Sequence, residues 1–190
     1  KRGEAVGAAG RMTIQDLEGF PTPLDDQRYE LIDGDLFVST QPHWQHQATV
    51  ANIIYALVAW NRQTDAGMVF DAPGAIFAND TAVAPDVVWV SRQRLDAVLG
   101  EDGKLHAAPD LVVELLSPGP ENEKRDRQAK LGLYSRQGVR EYWIVDWQHQ
   151  ELHVYRRREA QLALIATLLA DDMLQSPLLP DFAIPIREFF

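Results

Sequence analysis

The chain has 190 residues, 46% hydrophobic and 24% charged, which suits one globular domain with a full core. It has no cysteine, so disulfides and thiolate metal sites are excluded, and no apolar run reaches the length of a membrane helix. A net charge of −10 argues against a general nucleic-acid coat protein, yet residues 124–158 hold nine Lys/Arg against four Asp/Glu. That surplus reads equally as a phosphate-binding face or as a solvated helix face plus a charged turn.

The opening "KRGEAVGAAGRM" lacks the apolar segment of a signal peptide. Residues 1–11 read as a disordered extension, Met12 as a natural start, and 12–190 as a single domain with a cytoplasmic location. "RYELIDGDLFVS" (28–39) predicts a β-hairpin, two alternating runs around the type I′ turn signal Asp33-Gly34. Residues 42–63 predict a helix, since Val50, Ile53, Ile54, Leu57 and Val58 recur at helical spacing. One or two strands follow over 67–78, broken at Pro73-Gly74, then a strand over 84–91 entered through Pro85 and a short helix closed by Gly100.

"APDLVVELLSPGP" (108–120) poses the question of function. Five of the six residues from Leu111 to Leu116 are aliphatic, the pattern of a strand buried on both faces, yet Glu114 sits among them. A buried carboxylate is costly unless paired. Residues 122–138 predict a second long helix ending at Gly138. Strands are expected over 140–147, 151–158 and 162–169, and a loop with a short terminal helix over "LPDFAIPIREFF". The order of elements implies an α/β (α+β) domain, a mixed central sheet flanked by helices with an N-terminal hairpin.

Two strands open alike, "PDVVWV" and "PDLVVELL". If they are neighbours, Asp86 approaches Glu114, and two close carboxylates require a shared proton or a divalent cation. Hard oxygen ligands suit Mg²⁺ or Mn²⁺. Asp110 lies four residues before Glu114, a strand rise of about 13 Å, too far to share one ion, and reads as turn chemistry. In the following helix, Asp126, Lys130 and Tyr134 recur at i, i+4, i+8 on one face.

"YELIDGDL", "PHWQH", "APDVVWV", "PDLVVELLSP", "RDRQAKLGLYSRQGVREYWIVD" and "LHVY" together resemble the Uma2 family of the PD-(D/E)xK restriction-endonuclease-like superfamily, over about residues 29–155. The resemblance implies a restriction-endonuclease-like fold and Mg²⁺- or Mn²⁺-dependent hydrolysis of nucleic-acid phosphodiesters, with DNA the expected substrate. By position, Asp86 matches the first catalytic acid and Glu114 the acid of the ExK element, holding the metal with the Leu115 backbone carbonyl. Leu116 stands where that element has lysine, which points to Lys130 on the next helix. Glu30 matches a further acidic position, against the bland reading of a cross-strand partner. His46 matches a recurring histidine, against that of a hydrogen-bonded core residue. Asp126 and Tyr134 are possible supports, and Lys124, Arg125 and Arg127 would face nucleic acid. A homodimer is expected of an enzyme that reaches both strands. An inactive nucleic-acid-binding or assembly module, and a glycosidase-like carboxylate pair, are the competing classes.

Overall fold

The computed structural model describes residues 11–19 and 27–190, so all but Arg11 of the expected disordered extension lies outside the described residues. After a short helix α1 (Ile14–Glu18), strands β1 (Arg28–Ile32) and β2 (Asp35–Ser39) form the expected hairpin. Asp33 and Gly34 take φ of 53° and 80°, as a type I′ turn requires. Helix α2 (Trp44–Thr64) follows, then β3 (Gly67–Asp71), β4 (Ala75–Ala78), β5 (Thr81–Val83) and β6 (Val87–Ser91). Pro73-Gly74 does divide two strands, and they belong to different sheets: β3 to the central one, β4 to a smaller sheet of order β2-β1-β5-β4. The helix expected over 91–100 is a 3₁₀ turn, Arg92–Arg94, and a single α turn, α3 (Leu95–Val98).

Strand β7 (Leu111–Leu115) leads into a helix built of α4 (Pro120–Lys124), a π-helical stretch Arg125–Lys130 and α5 (Leu131–Gln137), closed by Gly138 at φ 92°. Then come β8 (Glu141–Asp146), β9 (Glu151–Arg158), β10 (Gln161–Leu169), β11 (Met173–Ser176), β12 (Leu179–Pro185) and a 3₁₀ turn, Ile186–Phe189. The central sheet has the order β10-β9-β8-β7-β6-β3. Among the described strands of this sheet, β7 and β8 alone pair in parallel, and the helix between them supplies the crossover that parallel pairing needs.

Both faces of this sheet are covered, which accounts for the aliphatic residues that flank Glu114 in β7. Leu111, Val113 and Leu115 point to the face packed by Ile53 and Leu57 of α2 and by Phe189. Val112 and Leu116 point to the other, with Leu133 and Tyr134 of α5 and Ile32 of β1. Glu114 shares that second side, under the α4–α5 helix.

The C-terminal stretch differs from expectation. "LPDFAIP" is not a loop but β12, paired with β11. Proline and aspartate read as loop signals, but the register slips between Gln175 and Ser176. Pro180 and Asp181 (φ 63°) fall in that bulge, where a ladder tolerates them. Leu179 and Phe182 thereby reach the core.

Because β6 and β7 run antiparallel, their Pro-Asp openings lie at opposite ends of the pair. Asp110 is fully buried and clamps the end away from Asp86. It accepts from the Ser91 N–H at 2.8 Å, from Arg94 at 3.0 Å and from Arg140 at 3.3 Å. Burial alone would raise its carboxyl pKa, but the Ser91 donors and Arg94 hold it below the usual range. Asp110→Ala should lower the free energy of denaturant unfolding by about 2–3 kcal/mol, less than for a fully buried pair because both guanidiniums stay partly exposed. A loss below about 0.5 kcal/mol would show the clamp to be dispensable.

Candidate active site

The paired strands bring the two acids together. Val87 pairs with Val113 and Val88 with Val112, so Asp86, one step beyond the ladder, falls opposite Glu114. There its side chain replaces a backbone acceptor: the Leu115 N–H donates to Asp86 Oδ2 at 2.8 Å. The helix over this face supplies partners for Glu114. Lys130 Nζ donates to Glu114 Oε2 at 2.9 Å, and the Tyr134 hydroxyl donates to Oε1 at 2.6 Å. Lys130 Nζ is also 3.2 Å from Glu30 Oε1 and 4.0 Å from Asp126 Oδ1. Glu30 reaches the cluster from β1, where it also accepts the Ala84 N–H at 3.0 Å. Asp126 in turn is held by Arg125 Nε at 2.8 Å and the Ser117 N–H at 3.3 Å.

Asp126, Lys130 and Tyr134 are all buried on this one face, as their spacing predicts. An α-helix drifts by about 40° for every four residues, so over eight residues such a face would turn away. The π-helical stretch Arg125–Lys130 widens one turn and takes back that drift.

Asp86, Glu114, Lys130, Glu30, His46 and Arg28 line one cleft of about 1020 Å³. Asp126 and Tyr134 are not among its lining residues and contact Lys130 and Glu114 respectively. His46 is buried, as a core histidine would be, and its Nε2 stands 3.5 Å from Asp86 Oδ2, while its Nδ1 has no partner among the described residues. Arg28 was not anticipated. Its guanidinium lies 3.4 Å from Asp86 Oδ1, and the period-two alternation that places Glu30 on this side of β1 places Arg28 there as well.

The basic segment is mostly committed elsewhere. Arg125 turns inward to Asp126, and Arg127 lies 3.8 Å from Asp146. Arg136 pairs with Asp33, Arg140 with Asp110 and Arg156 with Glu141, while Arg157 donates to the backbone carbonyls of Val139 and Ser135. Lys124 is exposed on the last turn of α4. The local surplus of positive charge is thus spent largely on clamps within the fold.

Four buried carboxylates, Glu30, Asp86, Glu114 and Asp126, face two buried cations, Arg125 and Lys130, and the partly exposed Arg28. Burial pushes the Glu114 carboxyl up to about 8; Lys130 opposes this, but Asp86, Glu30 and Asp126 add to it. Burial would raise Asp86 too, yet the His46 ring, Lys130 and the Leu115 amide hold it below the usual range. Glu30 is likewise held down against its burial, chiefly by Lys130 and the Ala84 amide. Desolvation favours a neutral Lys130, but Glu114, Glu30 and Asp126 prevail and keep it charged. Of the four acids, Glu114 is therefore the one whose carboxyl is pushed towards holding a proton.

The donor set fits a hard divalent cation that takes few ligands from protein. Two carboxylates from adjoining strands reach the cleft, and burial with its acidic neighbours raises one of them, a strain that a cation would relieve. Among the described residues, no group of three or more His, Cys, Asp or Glu is arranged around a single ion. Mg²⁺, which keeps several waters, suits such a site better than Zn²⁺.

A mixed sheet with a parallel central pair, flanked by helices and carrying an acidic cleft at one end, is a restriction-endonuclease-like architecture. The solved structure of "a putative nuclease belonging to DUF820" from Anabaena variabilis shares the fold, with a TM-score of 0.74 over 94% of this chain and 97% of that one, at 19% sequence identity. The model of the Uma2 family, described as "Putative restriction endonuclease", matches residues 14–187, and the chain belongs to that family. No curated protein matches it.

A raised carboxyl pKa means that the folded chain keeps a proton the unfolded chain releases. Its stability contribution must then fall as pH rises from the ordinary value of 4.5 towards about 8, and level off beyond. In metal-free buffer, Glu114→Gln should gain on the native protein by up to about 1.4 kcal/mol per pH unit across that window, measured by denaturant unfolding. A stability difference independent of pH would show that Glu114 is ionised throughout.

Proposed function

We propose that this protein is a Mg²⁺- or Mn²⁺-dependent endonuclease that hydrolyses phosphodiester bonds of nucleic acid, DNA in the first instance. The observation that carries this reading is the convergence of Asp86, Glu114 and Lys130 on one cleft. Asp86 and Glu114 would hold the ion, with the Leu115 carbonyl beside them. When bound, such an ion lowers the pKa of a water and neutralises charge on the phosphate.

The chain's own groups supply the rest. The Leu115 N–H fixes the orientation of Asp86, and Tyr134 and Lys130 fix that of Glu114. Because its three carboxylate neighbours keep Lys130 cationic, it serves as an electrostatic donor to negative charge building on the phosphate, not as a base. Glu30 and Asp126 hold its ammonium in place. Arg28, partly exposed at the cleft, is placed to meet a phosphate oxygen once a cation relieves it of Asp86.

A second reading, an inactive binding or assembly module on the same fold, is favoured by one feature. The Lys130 ammonium is already satisfied by carboxylates, and no three-ligand group stands ready among the described residues.

Plasmid cleavage separates the two. The native protein should cut with Mg²⁺ or Mn²⁺ and stop on adding EDTA. Asp86→Asn keeps an oxygen for the Leu115 N–H but loses a charge, and should reduce the rate by about 10²-fold or more. Metal-dependent cutting that survives both Asp86→Asn and Glu114→Ala would defeat this site. Retained DNA binding with no cutting by the native protein would establish the module instead.

A further inference from the structure

Three neighbouring aromatic rings, one of which, His43, lines the cleft, take no part in the hydrolysis just described. Trp147 follows β8, and its Nε1–H donates to the carbonyl of Leu116, two residues beyond Glu114, at 3.0 Å. His43 lies flat against it, with ring centroids 5.2 Å apart and planes within 8° of parallel. His43 is also the N-cap of α2, its Nδ1 accepting the Gln45 N–H at 3.2 Å, so the helix start fixes the plane of the ring. Trp44 comes next, 5.5 Å from His43 and tilted by 34°. Exposure rises outward, from 9% at Trp147 to 69% at Trp44. One bare apolar side chain needs no explanation. A bare indole beside the ordered His43–Trp147 stack, with His43 in the cleft wall, has the form of a platform for another flat ring.

The charges point the same way. Holding duplex DNA relies on many Lys/Arg contacts to its phosphates. Here most of the basic segment is engaged within the fold and the chain carries −10 overall. The cleft, about 1020 Å³, is comparable to a large single-ligand pocket, room for a few nucleotides and not for a turn of duplex. Stacking on aromatic rings binds unpaired bases without a broad basic surface.

We propose that Trp44, backed by the His43–Trp147 stack, forms a stacking rim that receives unpaired bases next to the scissile phosphate, so that the substrate class is single-stranded nucleic acid. This rests on the nuclease reading for its phosphate but on separate residues for its bases. The outermost ring, Trp44, determines the preference.

The test is fluorescence anisotropy with labelled 12-nucleotide single strands, DNA and RNA, and a DNA duplex of the same length, all in EDTA so that nothing is cut. The native protein should bind single strands more tightly than duplex. Trp44→Ala should weaken single-strand binding by about 10- to 100-fold, and Trp44→Phe should recover part of it. Tyr55→Ala removes another exposed aromatic of α2, about 16 Å further along the helix axis, and should change nothing. Comparison of the DNA and RNA strands identifies which sugar the rim accepts. Equal affinity for duplex, an unaltered Trp44→Ala, or no single-strand binding by the native protein would overturn the proposal. Hydrolysis of bis(p-nitrophenyl) phosphate with Mn²⁺, which offers a phosphodiester and no bases, tests the nuclease reading on its own. If the native protein shows none while the Trp44 dependence holds, the stacking rim stands and the nuclease reading falls.

Discussion

The buried ammonium of Lys130, set among carboxylates from three directions, is the interaction on which the rest of the site depends. It touches Glu114 from β7 and Glu30 from β1, and stands one helical turn from Asp126. Removing such a cation from a dry interior would leave several uncompensated charges, far costlier than the loss of any one contact. Even with it in place, acids outnumber fixed cations, and that excess together with burial pushes the Glu114 carboxyl up to about 8. That imbalance is what turns a structural ion cluster into a candidate cation site. In the reading proposed above, a divalent ion would answer the same deficit as a proton, and one end of the cluster lines the cleft.

Ordinary folding rules assemble this cluster. The antiparallel register of β6 and β7 sets Asp86 opposite Glu114. The parallel pairing of β7 with β8 requires a crossover helix, which lays Lys130 and Tyr134 over Glu114. The π-helical stretch aligns Asp126 with them. The hairpin of β1 and β2, pinned by its type I′ turn, closes the far side with Glu30 and Arg28. The similar Pro-Asp dipeptides at 85–86 and 109–110 end in different roles because antiparallel strands start at opposite edges. Asp86 lines the cleft, while Asp110 locks the other end with Ser91, Arg94 and Arg140.

Much of this was legible in the sequence where a single periodicity governs it. The hairpin was marked by Asp33-Gly34, α2 by its apolar spacing, and Glu114 by its conflict with an aliphatic strand. The common face of Asp126, Lys130 and Tyr134 followed from helical spacing, although the π turn that keeps it aligned has no plain sequence signal. What was not legible depends on tertiary pairing. Arg28 shares the face of Glu30, but only the β1–β5 sheet carries that face to Asp86. His46 looked like a core residue because α2 buries it; that the same burial sets it beside Asp86 is a matter of packing between elements. The strand β12 was hidden by Pro180 and Asp181, which the bulge absorbs. The basic segment looked like one surface because charge counts carry no direction, whereas most of its side chains fold back on the protein's own acids and carbonyls.

The claim that a divalent cation takes the place of a proton at Glu114 is tested most directly by isothermal titration of Mg²⁺ into the native protein at pH 7, in two buffers of different ionisation enthalpy. The account predicts saturable binding with release of up to about one proton per ion at pH 7, no release at pH 9, and loss of that release in Glu114→Gln. Absence of Mg²⁺ binding, or binding with the same proton count after that substitution, would contradict it.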